Sequence, residues 1–164
     1  MADPSFLRTF RFQVTLLPSA GTEDVKGAGN TPDAAFQECT GLEIEMDVQE
    51  YLEGGRNDGV VRRVGRAKYQ TLVLKRGMFF TGEQVNSDAW SWIQGVVSGI
   101  RPVRRYDGLV EVMTGAGDDT VVARWAFDRG LPAKVVGPQL NAKTGEVAIE
   151  ELHIAHEGLR LLTS

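Results

Sequence analysis

Leu42-Glu43-Ile44-Glu45-Met46-Asp47-Val48-Gln49 alternates apolar and polar residues without a break. Side chains on a strand point to opposite faces in turn. The run therefore puts Leu42, Ile44, Met46 and Val48 on one face and Glu43, Glu45, Asp47 and Gln49 on the other. Such a ribbon is expected to seal its apolar side against the body of the molecule and turn its acids to water. Tyr51 and Leu52 close the run. Glu53-Gly54-Gly55-Arg56-Asn57-Asp58-Gly59 is too polar and glycine-rich for a core element and reads as an exposed loop. Val60 to Val64 stays extended, and Lys68-Tyr69-Gln70-Thr71-Leu72-Val73-Leu74-Lys75-Arg76 returns as a strand ended by Gly77. The sum is two long strands joined by a projecting tip at about residues 53–66.

Upstream, Phe6, Phe10, Phe12, Val14 and Leu16 recur at even spacing, a half-buried strand that ends at Pro18. Ser19 to Asp33 is small, polar and glycine-containing, a loop or insertion over about 18–34. Ala35 to Thr40 is a second strand, with Gly41 marking a bend.

One helix is predicted, capped by Asn86 or Ser87 and closed by Gly99. Ala89, Trp90, Ile93, Val96 and Val97 make its apolar stripe, and Trp92 falls off it. Leu109, Val110 and Val112 lead into the turn Thr114-Gly115-Ala116-Gly117-Asp118-Asp119, and Val121, Ala123, Trp125 and Phe127 return. Gly130, Pro132, Gly137 and Pro138 punctuate the next segment, with Val135 and Val136 between them. Val147, Ile149, Leu152 and Ile154 form a last strand whose apolar phase slips at Glu150-Glu151, as a β-bulge would make it. The fold class is mainly β: an antiparallel β-sandwich or barrel with one packed α-helix, a single domain over 1–164.

Composition removes several functions. With 42% hydrophobic and 24% charged residues, the chain can build a core without staples. No apolar run approaches the roughly 20 residues of a membrane-spanning helix. The start Met1-Ala2-Asp3-Pro4 lacks the basic and apolar regions of a Sec-type leader, so no such leader is expected, and the lack of an Asn-x-Ser/Thr sequon fits assembly in a reducing cytoplasm. Cys39 stands alone and reads as a free, partly buried thiol. A net charge of −4 disfavours specific nucleic-acid binding, despite Arg62, Arg63, Arg66 and Lys68 and the second group Arg101, Arg104 and Arg105.

No catalytic constellation emerges, and no cofactor or metal is expected. His153 and His156 are three apart in a strand, on opposite faces, and cannot chelate one ion. Gly115-Ala116-Gly117 lacks the third glycine and following helix of a dinucleotide site. Glu43, Glu45 and Asp47 stand roughly 7 Å apart at strand spacing, a separation open to an inverting glycosidase, but no aromatic platform shares their face.

The ordered string resembles the tail-tube proteins of contractile phage tails, the inner tube of contractile injection systems, related to the Hcp-type tube proteins. It is carried by Phe36-Gln37-Glu38-Cys39-Thr40-Gly41-Leu42-Glu43, Tyr51-Leu52-Glu53-Gly54-Gly55, Lys68-Tyr69, Leu72-Val73-Leu74-Lys75-Arg76-Gly77 and Trp90-Ser91-Trp92-Ile93. Arg124-Trp125-Ala126-Phe127, Gly137-Pro138-Gln139-Leu140-Asn141-Ala142 and Glu146 to Leu159 come after these in order. The resemblance implies hexameric rings of the chain, stacked into a hollow tube that a contractile sheath drives through a target envelope. It implies a sheath protein, baseplate, tube-initiator and cap proteins, and a cargo effector in the lumen as partners. The particle would be phage-tail-like, free to be released from the cell. On that footing Glu43, Glu45, Asp47 and Gln49 are expected to face the lumen, as an acidic lining that repels acidic cargo. Glu53, Gly54, Gly55, Arg56, Asn57, Asp58, Arg62 and Arg63 are expected to contact the next ring or subunit. The alternatives are a tube-initiating or capping paralogue at the baseplate and, from a different class, a small-molecule-binding β-barrel.

Overall fold

The computed structural model describes residues 6–8, 11–22, 36–114 and 120–163. Along them run β1 (Phe12–Pro18), β2 (Glu38–Thr40), β3 (Ile44–Tyr51), β4 (Val61–Tyr69), β5 (Leu72–Gly77), β6 (Phe80–Thr81) and β7 (Gln84–Val85). The helix α1 (Asp88–Val97) is followed by β8 (Tyr106–Met113), β9 (Val121–Val136), β10 (Ile149–Ala155) and β11 (Gly158–Leu162).

The strand β9 organises the body, because it belongs to two layers. Its first half pairs with β8, which carries β1, and with β11. Its second half pairs with β10, which carries β5 and then β2. All these pairings are antiparallel. The sequence suggested that Gly130 and Pro132 would break this segment, yet the strand runs through both. Among the described pairings the second half of β9 has a neighbour on one side only, so a proline without an N–H loses little there. Arg129 takes a left-handed φ of 52° at the corner, and its N–H donates to Asp107 at 2.8 Å.

Inward positions alternate cleanly. In β8 they are Tyr106, Gly108, Val110 and Val112, and in β1 Val14 and Leu16. Gly108 is required by packing: a Cβ there would lie 2.1 Å from the Phe127 ring that covers it. Leu72 and Leu74 of β5 stand beside Ile154 and Leu152, their paired neighbours in β10, on the same inward face. The predicted bulge at Glu150-Glu151 does not occur; the register shift lies between His153 and Ile154. Glu150 keeps the alternation and points inward, directly opposite Arg76, and each side chain is only 2% exposed. Arg76 Nε donates to Glu150 Oε1, and Trp90 Nε1 donates to Glu150 Oε2 at 3.0 Å. Arg76 Nη2 reaches Asn86 Oδ1 at 2.9 Å, and the rings of Phe36 and Phe79 flank the guanidinium. A charged inward pair thus mimicked a phase slip in the sequence.

The helix also differs from its predicted stripe. Ala89, Trp92 and Gly95 are its buried positions, while Val97 is 82% exposed. Trp92 can go in because its indole N–H donates to Arg104 O at 2.9 Å, and its ring meets Tyr106 edge-on at 4.8 Å. Asn86 rather than Ser87 serves the first turn, accepting from the Asp88 N–H at 3.3 Å. Gly99, at φ 89°, closes the last turn as expected.

At the N-terminal side the strand starts at Phe12; Phe6 is fully exposed and Phe10 lies outside the described residues. Of the predicted loop over 18–34, Ser19 and Thr22 are buried, and residues 23–35 lie outside the described residues. Ser19 Oγ donates to Asp107 at 2.6 Å and Thr22 Oγ1 to Arg105 O at 3.1 Å, which ties the end of β1 to the start of β8. The turn at 115–119 also lies outside them, though Thr114 N donates to Thr120 O at 3.0 Å across its base.

Candidate functional site

The feature that stands apart from this body is the β3–β4 hairpin, a sheet of two strands. It is the outer half of a longer ribbon. β2 pairs with β5 as far as Thr40↔Val73, and four residues further along each strand β3 and β4 begin pairing at Ile44↔Tyr69. The register is therefore kept across the bend. Gly41 makes that bend possible, with φ 91° and a backbone approach so close that a Cβ would lie 2.2 Å from Thr71 O. Beyond the bend the ribbon leaves the body as an arm.

Directly opposed residues share a face, so the register assigns the arm's two sides. One side carries Ile44 with Tyr69, Met46 with Ala67, and Val48 with Val64. The other carries Glu45 with Lys68 and Gln49 with Arg63, and Asp47 lies between them. Opposite Asp47 the return strand has two residues, Gly65 and Arg66, between Val64 and Ala67, which is a β-bulge. Gly65 fits because its Cα approaches Asp47 so closely that a Cβ would sit 3.0 Å from Asp47 O.

The expectation that the apolar side seals against the body is overturned. Ile44 is 54% exposed, Met46 41%, Val48 60% and Val64 73%. Only the root of the arm touches the body, where Leu42 packs on the core and the Tyr69 ring lies 5.5 Å from the ring of His156. The alternation does make the ribbon two-sided, but the described residues supply no cover for the apolar side.

The polar side is also different from a row of acids. Lys68 Nζ lies 2.6 Å from Asp47 Oδ1, and hydrogen bonding with that carboxylate raises the Lys68 pKa. Arg63 stacks over Tyr51 on this side, while Arg62 lies 3.5 Å from Glu50 at the outer end of the apolar side and Arg56 3.2 Å from Asp58 in the turn. Cations of the return strand thus meet the carboxylates of β3. The pattern continues on the outer face of the body, where Lys75 bridges Glu38 at 3.2 Å and Glu151 at 3.7 Å. His153 Nε2 lies 3.1 Å from Glu151, and this contact holds the carboxylate below its usual pKa. These faces carry both signs of charge rather than a row of acids.

Of the residues predicted to meet a neighbour, Glu53, Gly54, Gly55, Arg56, Asn57 and Asp58 fall in the exposed turn between the strands. Arg62 and Arg63 are in the ladder of β4, so the turn itself spans 52–60. Glu43 sits in the bend before β3, and Glu45, Asp47 and Gln49 are on the arm. His153 lies in β10, whereas His156, expected in the same strand, sits in the turn between β10 and β11. Cys39 is half-buried near the seam between β1 and β2, and burial pushes its thiol up to about 11, which keeps it unreactive. Among the described residues no group of His, Cys, Asp and Glu could hold a metal, and no helix is long and apolar enough to cross a membrane.

Sequence reasoning missed β11 and the small β6–β7 hairpin. It had one usable signal for β11, the alternation of Leu159 and Leu161 with Arg160 between them.

Residues 8–160 match the family model described as T4-like virus tail tube protein gp19. The chain belongs to the T4-like tail tube family. Solved structures of the same fold include a chain from the anti-feeding prophage tube-terminating cap, with TM-score 0.77 and 21% identity, covering 100% of this chain and 95% of that one. A chain from the anti-feeding prophage baseplate gives 0.76 and 22%, covering 99% and 97%. A chain from the sheath–tube complex of the PVC extracellular contractile injection system gives 0.74 and 19%, covering 96% and 92%. No curated protein matches the chain significantly. This member of the family is therefore a tail tube protein of mainly antiparallel β structure with one helix.

Proposed function

We propose that copies of this chain close into hexameric rings that stack into the inner tube of a contractile injection particle. The whole chain acts as one tube domain, without catalysis. One observation carries the reading: beyond the root at Tyr69, the arm's apolar residues Ile44, Met46, Val48 and Val64 stand in solvent, with nothing among the described residues packed behind them. Exposed apolar surface of this kind marks an association site. Edges support the same reading. β2 and β3 form one nearly continuous free edge from Glu38 to Tyr51, and the second half of β9 offers another among the described pairings. Edge strands that differ from each other give head-to-tail contact, which closes a ring when the rotation allows and removes the aggregation hazard of bare edges.

In that ring the polar side of the arm, with Glu45, Asp47 and Gln49 beside Lys68 and Arg63, faces the lumen together with Glu43. Such a wall is hydrated and mixes both signs of charge, which weakens any attraction or repulsion of a passing cargo by its sign. The turn at 52–60, with Glu53, Gly54, Gly55, Arg56, Asn57 and Asp58, meets the next ring. The family membership, and the fold shared with chains of sheath–tube, baseplate and cap assemblies, support a sheath protein outside the tube and baseplate and cap proteins at its ends. The particle is assembled in the bacterial cytoplasm and released as a phage-tail-like object.

Negative-stain microscopy of the purified chain, with light scattering across a concentration series, tests this. Annuli and stacked tubes are expected. A monomer at every concentration would refute the proposal, and single rings that never stack would favour a terminating or initiating paralogue.

A further inference from the structure

The arm's root rests on one titratable side chain. His156 interrupts the pairing along β9 between β10 and β11, at the corner opposite Arg129 and Gly130. Its ring is tilted against two others, Tyr69 of the arm at 5.5 Å and Phe127 of the core at 5.7 Å. Both ring nitrogens are shut off from solvent, and the backbone of Gly158 and Gln70 offers them only contacts that burial outweighs. A neutral imidazole tolerates that setting, but an imidazolium would carry two N–H donors and a positive charge into it.

We propose that His156 is a proton-operated lock on the arm: neutral, it clamps the arm's root between Tyr69 and Phe127, and protonated, it lets the arm swing. The contact is the point where the arm leaves the body, since only Gln70 and Thr71 separate β4 from β5. Few other contacts oppose a swing, because the arm's apolar side is uncovered.

The charged surroundings decide the direction. From β9 the nearest charge is Asp128, which is paired with Arg160. Beside His156 in its own turn is Glu157, held by Arg105 and Arg129, each at 3.2 Å. The arm brings none on the face of Tyr69, where Ala67, Met46 and Ile44 follow, and Lys68 turns to the other side to pair with Asp47. Burial lowers the His156 pKa below the ordinary 6.5, ahead of smaller upward pulls from the backbone of Gly158 and Gln70 and from Asp128. A depressed histidine favours the locked state fully above 6.5, and that contribution is lost as pH falls through the lower folded value.

Spin labels report the arm's position in the full chain. One goes on the tip (Asp58→Cys) and one on the far end of the body (Lys143→Cys), with Cys39→Ala removing the native thiol. A narrow tip-to-body distance distribution is expected at pH 7.5, broadening reversibly at pH 5. His156→Phe should stay narrow at both pH values, and His153→Phe should broaden as the parent does. A parent that stays narrow at pH 5 would overturn the proposal, as would His156→Phe broadening equally or near-UV dichroism of the body collapsing along the same pH course. Should His156→Phe not fold, NMR titration of the unsubstituted chain, assigned with His153→Phe, decides: His156 must titrate below 6.5, and a midpoint at or above that value refutes the lock.

Discussion

β3 and β5 belong to the same long ribbon and end in opposite environments. β3 alternates apolar and polar residues from Ile44 to Gln49, and β5 alternates inward and outward positions. In β5 the inward residues Leu72, Leu74 and Arg76 are buried by their own chain; in β3, Ile44, Met46 and Val48 face solvent. Burying one such aliphatic side chain is worth about 1.5–3 kcal/mol, so the body collects that energy on folding and the arm does not. On the proposed function, the apolar side of the arm is stability held back for an encounter with another copy. Alternation in a sequence reports that a ribbon has two sides; it is silent on which molecule covers the apolar one.

The contrast is sharpest at the buried ion pair. Glu150→Ala leaves the Arg76 guanidinium charged, desolvated and without its carboxylate, and leaves Trp90 Nε1 without its acceptor. Breaking such a pair from one side costs about 3–5 kcal/mol. Urea denaturation followed by tryptophan fluorescence should show a loss of that size. Replacing both partners together, Arg76→Met with Glu150→Leu, should recover most of it, because the cost lies in the unpaired charge. Equal losses in the single and double variants would mean that packing, not charge, dominates this corner.

A smaller effect in the same body comes from Gly108→Ala. The added methyl would meet the Phe127 ring at 2.1 Å, and both neighbours are fixed by the sheet. Overpacking of this kind costs about 1–3 kcal/mol, read as a lower midpoint in the same assay. An unchanged midpoint would show that Phe127 can move aside, which the contact with His156 argues against.

How much of this was legible follows the same division. The alternation at 42–49, the bend at Gly41, the helix closure at Gly99 and the mainly β class were readable because each is a local demand of backbone geometry. The inward Glu150 was misread as a slip because its partner Arg76 is 74 residues away, and no local pattern announces a buried charge. Trp92 was placed on the wrong side of the helix for a similar reason: the acceptor that lets it in, Arg104 O, lies beyond the helix. The polar side of the arm looked like a row of acids because one strand was read without its partner, and only the register brings Lys68 and Arg63 across from Glu45 and Gln49. In each case a tertiary neighbour decided the outcome.

Substitution on the arm should reverse the ranking of fold and assembly. Val48→Lys with Val64→Lys puts two cations opposite each other on the exposed apolar side. Because neither side chain is buried in the chain itself, folding stability should change by no more than about 0.5 kcal/mol. Ring formation should be lost, visible as a monomer by light scattering where the parent chain gives annuli. A variant that still forms rings would place the subunit contact elsewhere, and one that loses the folded body would remove the distinction between the two regions.

The smallest effect belongs to the arm's polar side. Lys68→Gln removes the ion pair with Asp47 and leaves Glu45 and Asp47 facing Arg63 alone. Both side chains of the pair are well exposed, so water and salt already screen most of their attraction, and holding two flexible side chains together offsets the rest. The urea midpoint of the monomer should match that of the parent chain at both low and high salt. The pair can be silent in stability because its role lies in the balance of charge on that face. If Lys68→Gln instead lowers the midpoint as far as Gly108→Ala does, the arm folds as a cooperative part of the body. Its uncovered apolar side would then need another explanation than a waiting interface.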